Sequence, residues 1–197
     1  MYRFIESINY IDGKPQLLEG HQARLNQTFS AYFSEFPSHD LSQLLPVIPD
    51  HDQHKCRVVY DADSVEVEFV KYRKPEIHSL KLVQGNSIEY SHKFEDRNEL
   101  TKLYEKRGEA DDIIIVKNGK VTDTYYANLV LYDGSDWWTP DTYLLNGVMR
   151  QFLLEKGEVR SCPIAIEDLG SFSKVSLINA MNSLGRIEIN VDSIILK

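Results

Sequence analysis

The feature that most constrains the fold is the dipeptide Asn118-Gly119, set between the apolar run Ile113–Val116 and Val121. Asn-Gly accepts the positive φ required at both central positions of a type I′ turn, whose twist matches that of two antiparallel strands. The chain must therefore double back here as a β-hairpin. The same device recurs at Asp133-Gly134, between Leu129–Tyr132 and Trp137–Thr139, and at Asp12-Gly13, between Phe4–Tyr10 and Gln16–Leu18. Asp61-Ala62-Asp63 joins Arg57–Tyr60 to Val65–Lys71, where the alternation Val65, Val67, Phe69 marks one buried face. The hairpins of the second half read as an antiparallel meander.

Helical spacing appears between these hairpins. Leu25, Phe29, Phe33 and Phe36 recur on one face of His21–Phe36, and Pro37 supplies a stop. From Pro37 to Lys55, with Pro46 and Pro49, a short helix followed by a loop is expected. A strand is expected around Ile77–Val83. Asp96 and Glu99 have the spacing of a capping box ahead of Leu100, Leu103 and Tyr104, which puts Lys93 just before a helix. Asn146-Gly147 opens another helix, carrying Phe152, Leu153 and Leu154 and ending at Gly157. Val175–Ile178 and Ile187–Ile195 read as further strands. The whole is an α+β chain of two domains, a small one at residues 1–76 and a larger one of antiparallel strands and helices at residues 77–197, with a boundary near Lys74–Leu80.

Composition narrows the function. With 22 Lys plus Arg against 30 Asp plus Glu, the formal charge of -8 repels phosphate backbones, so nucleic acid is not expected as a partner. Cys56 and Cys162, the 2 cysteines, are too few for a disulfide framework or a thiolate zinc site and fit a reducing cytoplasm. No apolar stretch approaches the roughly 20 residues of a membrane span, and Arg3, Glu6, Asp12 and Lys14 stand where a secretory signal needs an apolar block.

Five short features can carry chemistry. His21-Gln-Ala-Arg24-Leu25 puts an imidazole and a guanidinium on neighbouring positions of one helical face, and the planar fork of Arg24 suits a phosphate; the plain alternative is a solvated arginine. Lys93, between a strand end and a helix, is either a solvated lysine or an amine nucleophile able to form a Schiff base, with Arg97 as a nearby cation that lowers its pKa. Asp123 and Asn128 lie on a strand entered from a hairpin turn, and the carboxylate serves either local backbone hydrogen bonds or a cationic ring nitrogen of the pyridoxal kind. The helix start at Asn146-Gly147 is a capping signal or an anion site. Asn179 to Gly185, with Asn182 and Ser183, is a polar turn that can add donors to the same anion. His51, His54 and Cys56 imitate metal spacing but lack the paired spacing or fourth ligand of a zinc site, so no metal is expected. Trp137-Trp138 reads as hairpin packing.

Taken in order along the chain, these motifs resemble the class IV aminotransferase family, the fold-type IV pyridoxal phosphate enzymes. The likeness runs from Phe4-Ile-Glu6-Ser7 through His21-x-x-Arg24-Leu25, Lys93, the Asp123-to-Asn128 spacing and Asn146-Gly-Val-Met-Arg150, to Asn182-Ser183. It implies pyridoxal 5′-phosphate as cofactor, a small-molecule amine as substrate and a homodimer. It also implies Lys93 as the lysine that forms the cofactor's Schiff base, Asp123 as the ring-nitrogen partner with Asn128 beside it, and Arg24 with the backbone of Val148 and Met149 as phosphate grips. Asn182 or Ser183 would complete the phosphate site, and the cofactor would lie in the cleft between the two domains. The family includes aminotransferases and 4-amino-4-deoxychorismate lyase; Arg97 on the substrate side, four residues after the lysine, and Asn146-Gly-Val-Met-Arg-Gln-Phe152 lean toward the lyase branch. An amino acid aminotransferase and a non-catalytic relative retaining the fold are the alternatives. Against the family pattern, an initial strand and glycine-rich turn before Phe4 are missing, so the first domain reads as truncated, and Asp123 stands where a glutamate is usual.

Overall fold

A computed structural model of the chain describes residues 2–33, 39–48 and 50–196. Phe36, Pro37 and Pro49 lie outside the described residues. The chain forms two compact units, Met1–Arg73 with His92–Asp96, and Lys74–Ser91 with Arg97–Lys197. A single cut in the sequence cannot express this division, because the segment holding Lys93 packs with the first unit.

In the first unit, β1 (Phe4–Ile11), β2 (Lys14–Pro15), β3 (His54–Tyr60) and β4 (Val65–Lys71) form an antiparallel sheet in the order β2-β1-β3-β4. Helices α1 (Leu18–Tyr32) and α2 (Leu41–Leu44) lie between β2 and β3 in the chain. Asp12 and Gly13 take φ of 48° and 72°, the paired positive values of a type I′ turn. A Cβ on Gly13 would lie 1.9 Å from the Ile48 carbonyl oxygen, so glycine is obligatory. The second strand of this hairpin is Lys14–Pro15 and not Gln16–Leu18, because Leu17, at φ 52°, turns the chain directly into α1. Leu25 and Phe29 of α1 meet Phe4, Ile8, Tyr10, Cys56, Val58 and Tyr60 of the sheet in one apolar core. Each such side chain contributes about 1.5–3 kcal/mol by leaving water. The inferred buried face of β4 is only half realised: β4 is the sheet edge, Val65 and Phe69 are half-buried, and Val67 is 37% exposed.

The second unit contains β5 (Leu80–Gln84), α3 (Asn98–Tyr104), β6 (Asp112–Lys117), β7 (Lys120–Val121), β8 (Asn128–Tyr132), β9 (Trp137–Pro140), α4 (Val148–Glu155), β10 (Arg160–Cys162), β11 (Lys174–Ile178), β12 (Glu188–Asn190) and β13 (Ile194–Ile195). They build two sheets, β13-β5-β6-β7 and β10-β9-β8-β11-β12. Leu80, Ile114 and Val121 of one sheet join Leu129, Leu131, Leu177 and Ile189 of the other in a shared core. The expected antiparallel meander is thus corrected. The hairpins β6-β7 and β8-β9 form, with Asn118 and Gly119 at φ 52° and 79°, but they belong to different sheets. Parallel pairing joins β5 to β6, β9 to β10 and β13 to β5. For β5–β6 and β9–β10 the cause is chain direction: α3 and α4 carry the chain back, so the strands they link run the same way. The run Ile187–Ile195 is likewise split by a 3-10 turn at Val191–Ser193, which sends β12 and β13 to different sheets.

Helix α3 starts one residue later than its sequence signal. Arg97 and not Asp96 is the N-cap, its side chain makes no capping hydrogen bond, and Glu99 therefore falls a position short of closing a capping box. No helix among the described residues is long and apolar enough to cross a membrane.

Candidate functional site

In the first unit, β1 turns Phe4, Glu6, Ile8 and Tyr10 toward α1, so a carboxylate occupies one position of an otherwise apolar face. Glu6 and His21 are both fully buried, and Arg24 is 9% exposed. Arg24 Nε donates to Glu6 Oε1 at 2.8 Å, Arg24 Nη2 donates to Oε2, and His21 Nδ1 lies 2.6 Å from the same Oε2. Burial alone would raise the Glu6 carboxyl, but the Arg24 charge and the hydrogen bonds from His21 and Arg24 outweigh it and hold it at about 2. Burial lowers His21, against the opposing pull of Glu6, and the charges of Arg24 and Lys93 push it further the same way. His21 is therefore neutral near pH 7, with its proton on Nδ1 facing Glu6; Nε2 is buried with no hydrogen-bond partner among the described residues. Thr28 Oγ1 donates to the Arg24 carbonyl at 3.0 Å, and burial beside Glu6 pushes the Tyr60 hydroxyl up.

Lys93 is half-buried. Its backbone is held against the start of β1: Ile5 N donates to the Lys93 carbonyl at 2.9 Å, Phe4 bridges Phe94, and Glu95 N donates to the Arg3 carbonyl at 2.9 Å. The Phe94 ring sits 5.0 Å from Phe4 and 5.6 Å from Tyr32, while the Glu95 carboxylate accepts from Arg57 at 2.8 Å. A backbone fixed on both flanks by a sheet and an aromatic cluster gives the side chain it carries a constant point of attachment.

In the second unit the Asp123 carboxylate is enclosed. Its Oδ1 accepts from Asn128 Nδ2 at 2.8 Å, and its Oδ2 accepts from the backbone amides of Leu144 and Leu145 at 3.0 and 2.9 Å. Burial raises its pKa to about 6, although those hydrogen bonds and the Arg150 charge pull the other way. Asn128 also donates to the Leu145 carbonyl at 2.8 Å. Gly147, the N-cap of α4, leaves the space that Asn128 fills: a Cβ there would stand 2.0 Å from Asn128 Oδ1. No side chain caps α4, so the first-turn amides of Val148 and Met149 carry the positive end of the helix without a competing acceptor side chain.

Ile178 is the strand partner of Asn128, so the turn holding Asn182 leaves the sheet directly beside the Asp123 cluster's strand. Asn179 and Asn182 bond each other's backbones at 3.0 and 3.1 Å; Asn182 is buried and Ser183 exposed. Arg150 is a brace, donating to the Pro140 carbonyl at 3.0 Å and to Asn146 Oδ1 at 3.1 Å. Arg97 packs in the second unit, where its guanidinium donates to the Tyr125 carbonyl and lies 4.2 Å from the ring centre of Tyr126 and 4.6 Å from that of Tyr125. His51 and His54 face Asp12 and Asp50 at 3.2 and 3.5 Å, Cys56 is buried in the first core, and no group of three or more His, Cys, Asp or Glu among the described residues is placed to hold a metal ion.

Three members of these clusters are not legible in the sequence. Glu6 was legible as a motif letter but not as the acceptor for His21 and Arg24, although an acid at an inward position between Phe4 and Ile8 signals a buried partner. The Leu144 and Leu145 amides carry no side-chain signal at all.

Comparison with known proteins supplies what geometry cannot. Residues 3–188 match the family model described as amino-transferase class IV. A protein of Haemophilus influenzae named only as uncharacterized is 35% identical over 189 residues, covering 93% of this chain and 100% of its own length. A crystal structure from Haemophilus somnus, provisionally named a 4-amino-4-deoxychorismate lyase, is 29% identical with a TM-score of 0.89, over 93% of this chain and 98% of that one. A provisionally named amino-acid aminotransferase from Mesorhizobium loti, 18% identical with a TM-score of 0.83 over 96% of this chain and 99% of that one, shares the fold. So does a hypothetical aminotransferase from Mycobacterium tuberculosis in its PLP-bound form, 19% identical with a TM-score of 0.75 over 94% and 80% of the two chains. A family match along nearly the whole sequence, joined to a full-length relative at this identity, makes the chain a member of the class IV aminotransferase family.

Proposed function

We propose that this chain is a pyridoxal 5′-phosphate enzyme acting on a small-molecule amine, and that its reaction releases pyruvate and p-aminobenzoate from 4-amino-4-deoxychorismate. The observation that carries the cofactor is Asp123. A buried carboxyl pushed to about 6 gains from a cationic partner, and a carboxylate with three N–H donors keeps an acceptor direction for a fourth. A protonated pyridine nitrogen is such a partner. The name of the Haemophilus somnus relative and the run Asn146-Gly-Val-Met-Arg-Gln-Phe152 support the lyase outcome.

When bound, pyridoxal phosphate supplies a sink for the electron pair left at the carbon bearing the substrate nitrogen. Lys93 Nζ would hold the cofactor through its aldehyde carbon and, once a substrate amine had taken its place there, the freed amine would accept the proton from that substrate carbon. Arg24 and the α4 amides of Val148 and Met149 bind the phosphate, and Asn182 and Ser183 add donors to it. Asp123 keeps the ring nitrogen protonated, and Asn128 keeps Asp123 oriented. Arg97 stands on the substrate side, backed by Tyr125 and Tyr126. Two copies of the chain associate, and sedimentation velocity at micromolar concentration tests that.

Borohydride reduction of the purified, cofactor-loaded protein, followed by peptide mapping, is expected to label Lys93. Pyruvate release from aminodeoxychorismate without an added acceptor supports the lyase. Turnover that requires a 2-oxo acid replaces it with an aminotransferase, which uses the same residues. Absence of a labelled Lys93 peptide refutes both.

A further inference from the structure

The two oxygens of Glu6 are shared so that neither can move alone. Oε1 accepts from Arg24 Nε at 2.8 Å, while Oε2 accepts from Arg24 Nη2 and from His21 Nδ1, the latter at 2.6 Å. Any rotation of the carboxylate breaks the side-on pair with Arg24 or the bond to His21. The acid stays ionised, at about 2, and sits on a sheet strand, while both its partners sit on α1. The guanidinium is thereby held in one orientation before any ligand arrives.

We propose that Glu6 is a positioning residue for phosphate recognition, acting through Arg24; this rests on the phosphate role given to Arg24 above. Charge by itself argues the opposite, since a carboxylate beside a guanidinium cancels its attraction for an anion, and removing it should tighten phosphate binding. That gain requires the guanidinium to stay in place. With only 9% of Arg24 exposed, a guanidinium that loses its bidentate carboxylate loses the buried counter-charge that fixes its plane, and turning toward water then gains more than staying in place. Bringing it back on binding costs the rotamer freedom of a long side chain, whereas in the native chain that freedom is already lost. Orientation therefore outweighs charge.

The test measures dissociation constants of the full chain for pyridoxal 5′-phosphate and for pyridoxal, and takes their ratio as the contribution of the phosphate. Glu6→Gln is expected to reduce that ratio about tenfold, the value of one long side chain that must be ordered on binding. Glu6→Asp keeps the charge but draws it back by one methylene, and is expected to reduce the ratio by a similar factor. In the Arg24→Gln background, Glu6→Gln is expected to reduce it no further. A purely structural role moves both constants together and leaves the ratio alone. An unchanged or increased ratio in Glu6→Gln, or a wild-type ratio in Glu6→Asp, overturns the proposal. Wild-type protein provides a check independent of any variant's folding: the Arg24 Nε–H resonance should be protected from exchange before ligand is added and stay so afterwards. Rapid exchange in the ligand-free chain overturns the proposal as well. If the wild-type chain binds both vitamers equally, the phosphate role of Arg24 itself fails, an outcome distinct from a large wild-type ratio that the Glu6 variants leave intact.

Discussion

Replacing Gly147 by alanine should act on Asp123 without touching it. The backbone at Gly147, with φ -66° and ψ 143°, suits any residue, so the effect is steric and not conformational. The new methyl would lie 2.0 Å from Asn128 Oδ1 and 3.2 Å from its Cγ, well inside contact distance, and the amide must move by more than an ångström. That amide is 6% exposed and holds both Asp123 Oδ1 and the Leu145 carbonyl at 2.8 Å. Overpacking costs about 1–3 kcal/mol and two loosened buried hydrogen bonds about 1 kcal/mol each, so roughly 3–5 kcal/mol is expected. In a chain of this size that corresponds to a melting temperature lowered by about 6–20 °C, read by circular dichroism. The decisive measurement is a double-mutant cycle with Asn128→Ala, which removes the atom the methyl strikes. Gly147→Ala should then cost less than about 1 kcal/mol, giving a coupling of about 2 kcal/mol or more. Additive costs, or an unchanged melting temperature for Gly147→Ala alone, would refute the argument.

Other outcomes follow from the same geometry. Asp123 is raised from 3.8 to about 6, so its protonated form stabilises the ligand-free fold below pH 4, and that contribution is lost as pH rises through 6. Wild-type protein should lose about 3 kcal/mol relative to Asp123→Asn between pH 4 and 7, measured by urea denaturation; parallel pH profiles would contradict this. Glu6 has the opposite sign: lowered from 4.5 to about 2, it stabilises above pH 4.5, and the benefit disappears as pH falls through 2. Glu6→Ala, which takes the buried carboxylate from Arg24 and His21, should cost about 3–5 kcal/mol at pH 7 by the same denaturation assay. Burial pushes the Cys56 thiol up to about 12, while Cys162 is half-buried, so a maleimide should label Cys162 in the native chain and Cys56 only with urea present; equal labelling by mass spectrometry would count against the first core.

The parts of this fold that sequence revealed were those governed by local chemistry. Asn118-Gly119 and Asp12-Gly13 place positive-φ residues where only a tight turn uses them, and both turns form. The start of α4 at Val148 was legible from Asn146-Gly147 set ahead of an apolar run, although Gly147 itself keeps an ordinary φ of -66°. Sheet membership was not, since whether β8 pairs beside β7 or in another sheet is decided by long-range packing of Leu80, Leu129 and Leu177, which no neighbouring residue encodes. Among the candidate site residues, the order of His21, Arg24, Lys93, Asp123 and Asn128 carried the resemblance to the family that the whole chain matches. Their partners did not show. Arg24 alone reads as a surface arginine, and only the fold brings Glu6 beneath it; the Leu144 and Leu145 amides that hold Asp123 belong to residues whose side chains say nothing about acceptors.

The return of His92–Asp96 to the first unit has a consequence for synthesis. As the chain leaves the ribosome, everything through Arg73 emerges without the Phe94 ring that packs against Phe4, so the nascent first unit has an open seam at the head of β1. Closure waits until the polymer has grown past Asp96. The amine at position 93 thus enters its folded surroundings with the last piece of that unit to be translated, and a chain cut at Arg73 would never acquire it.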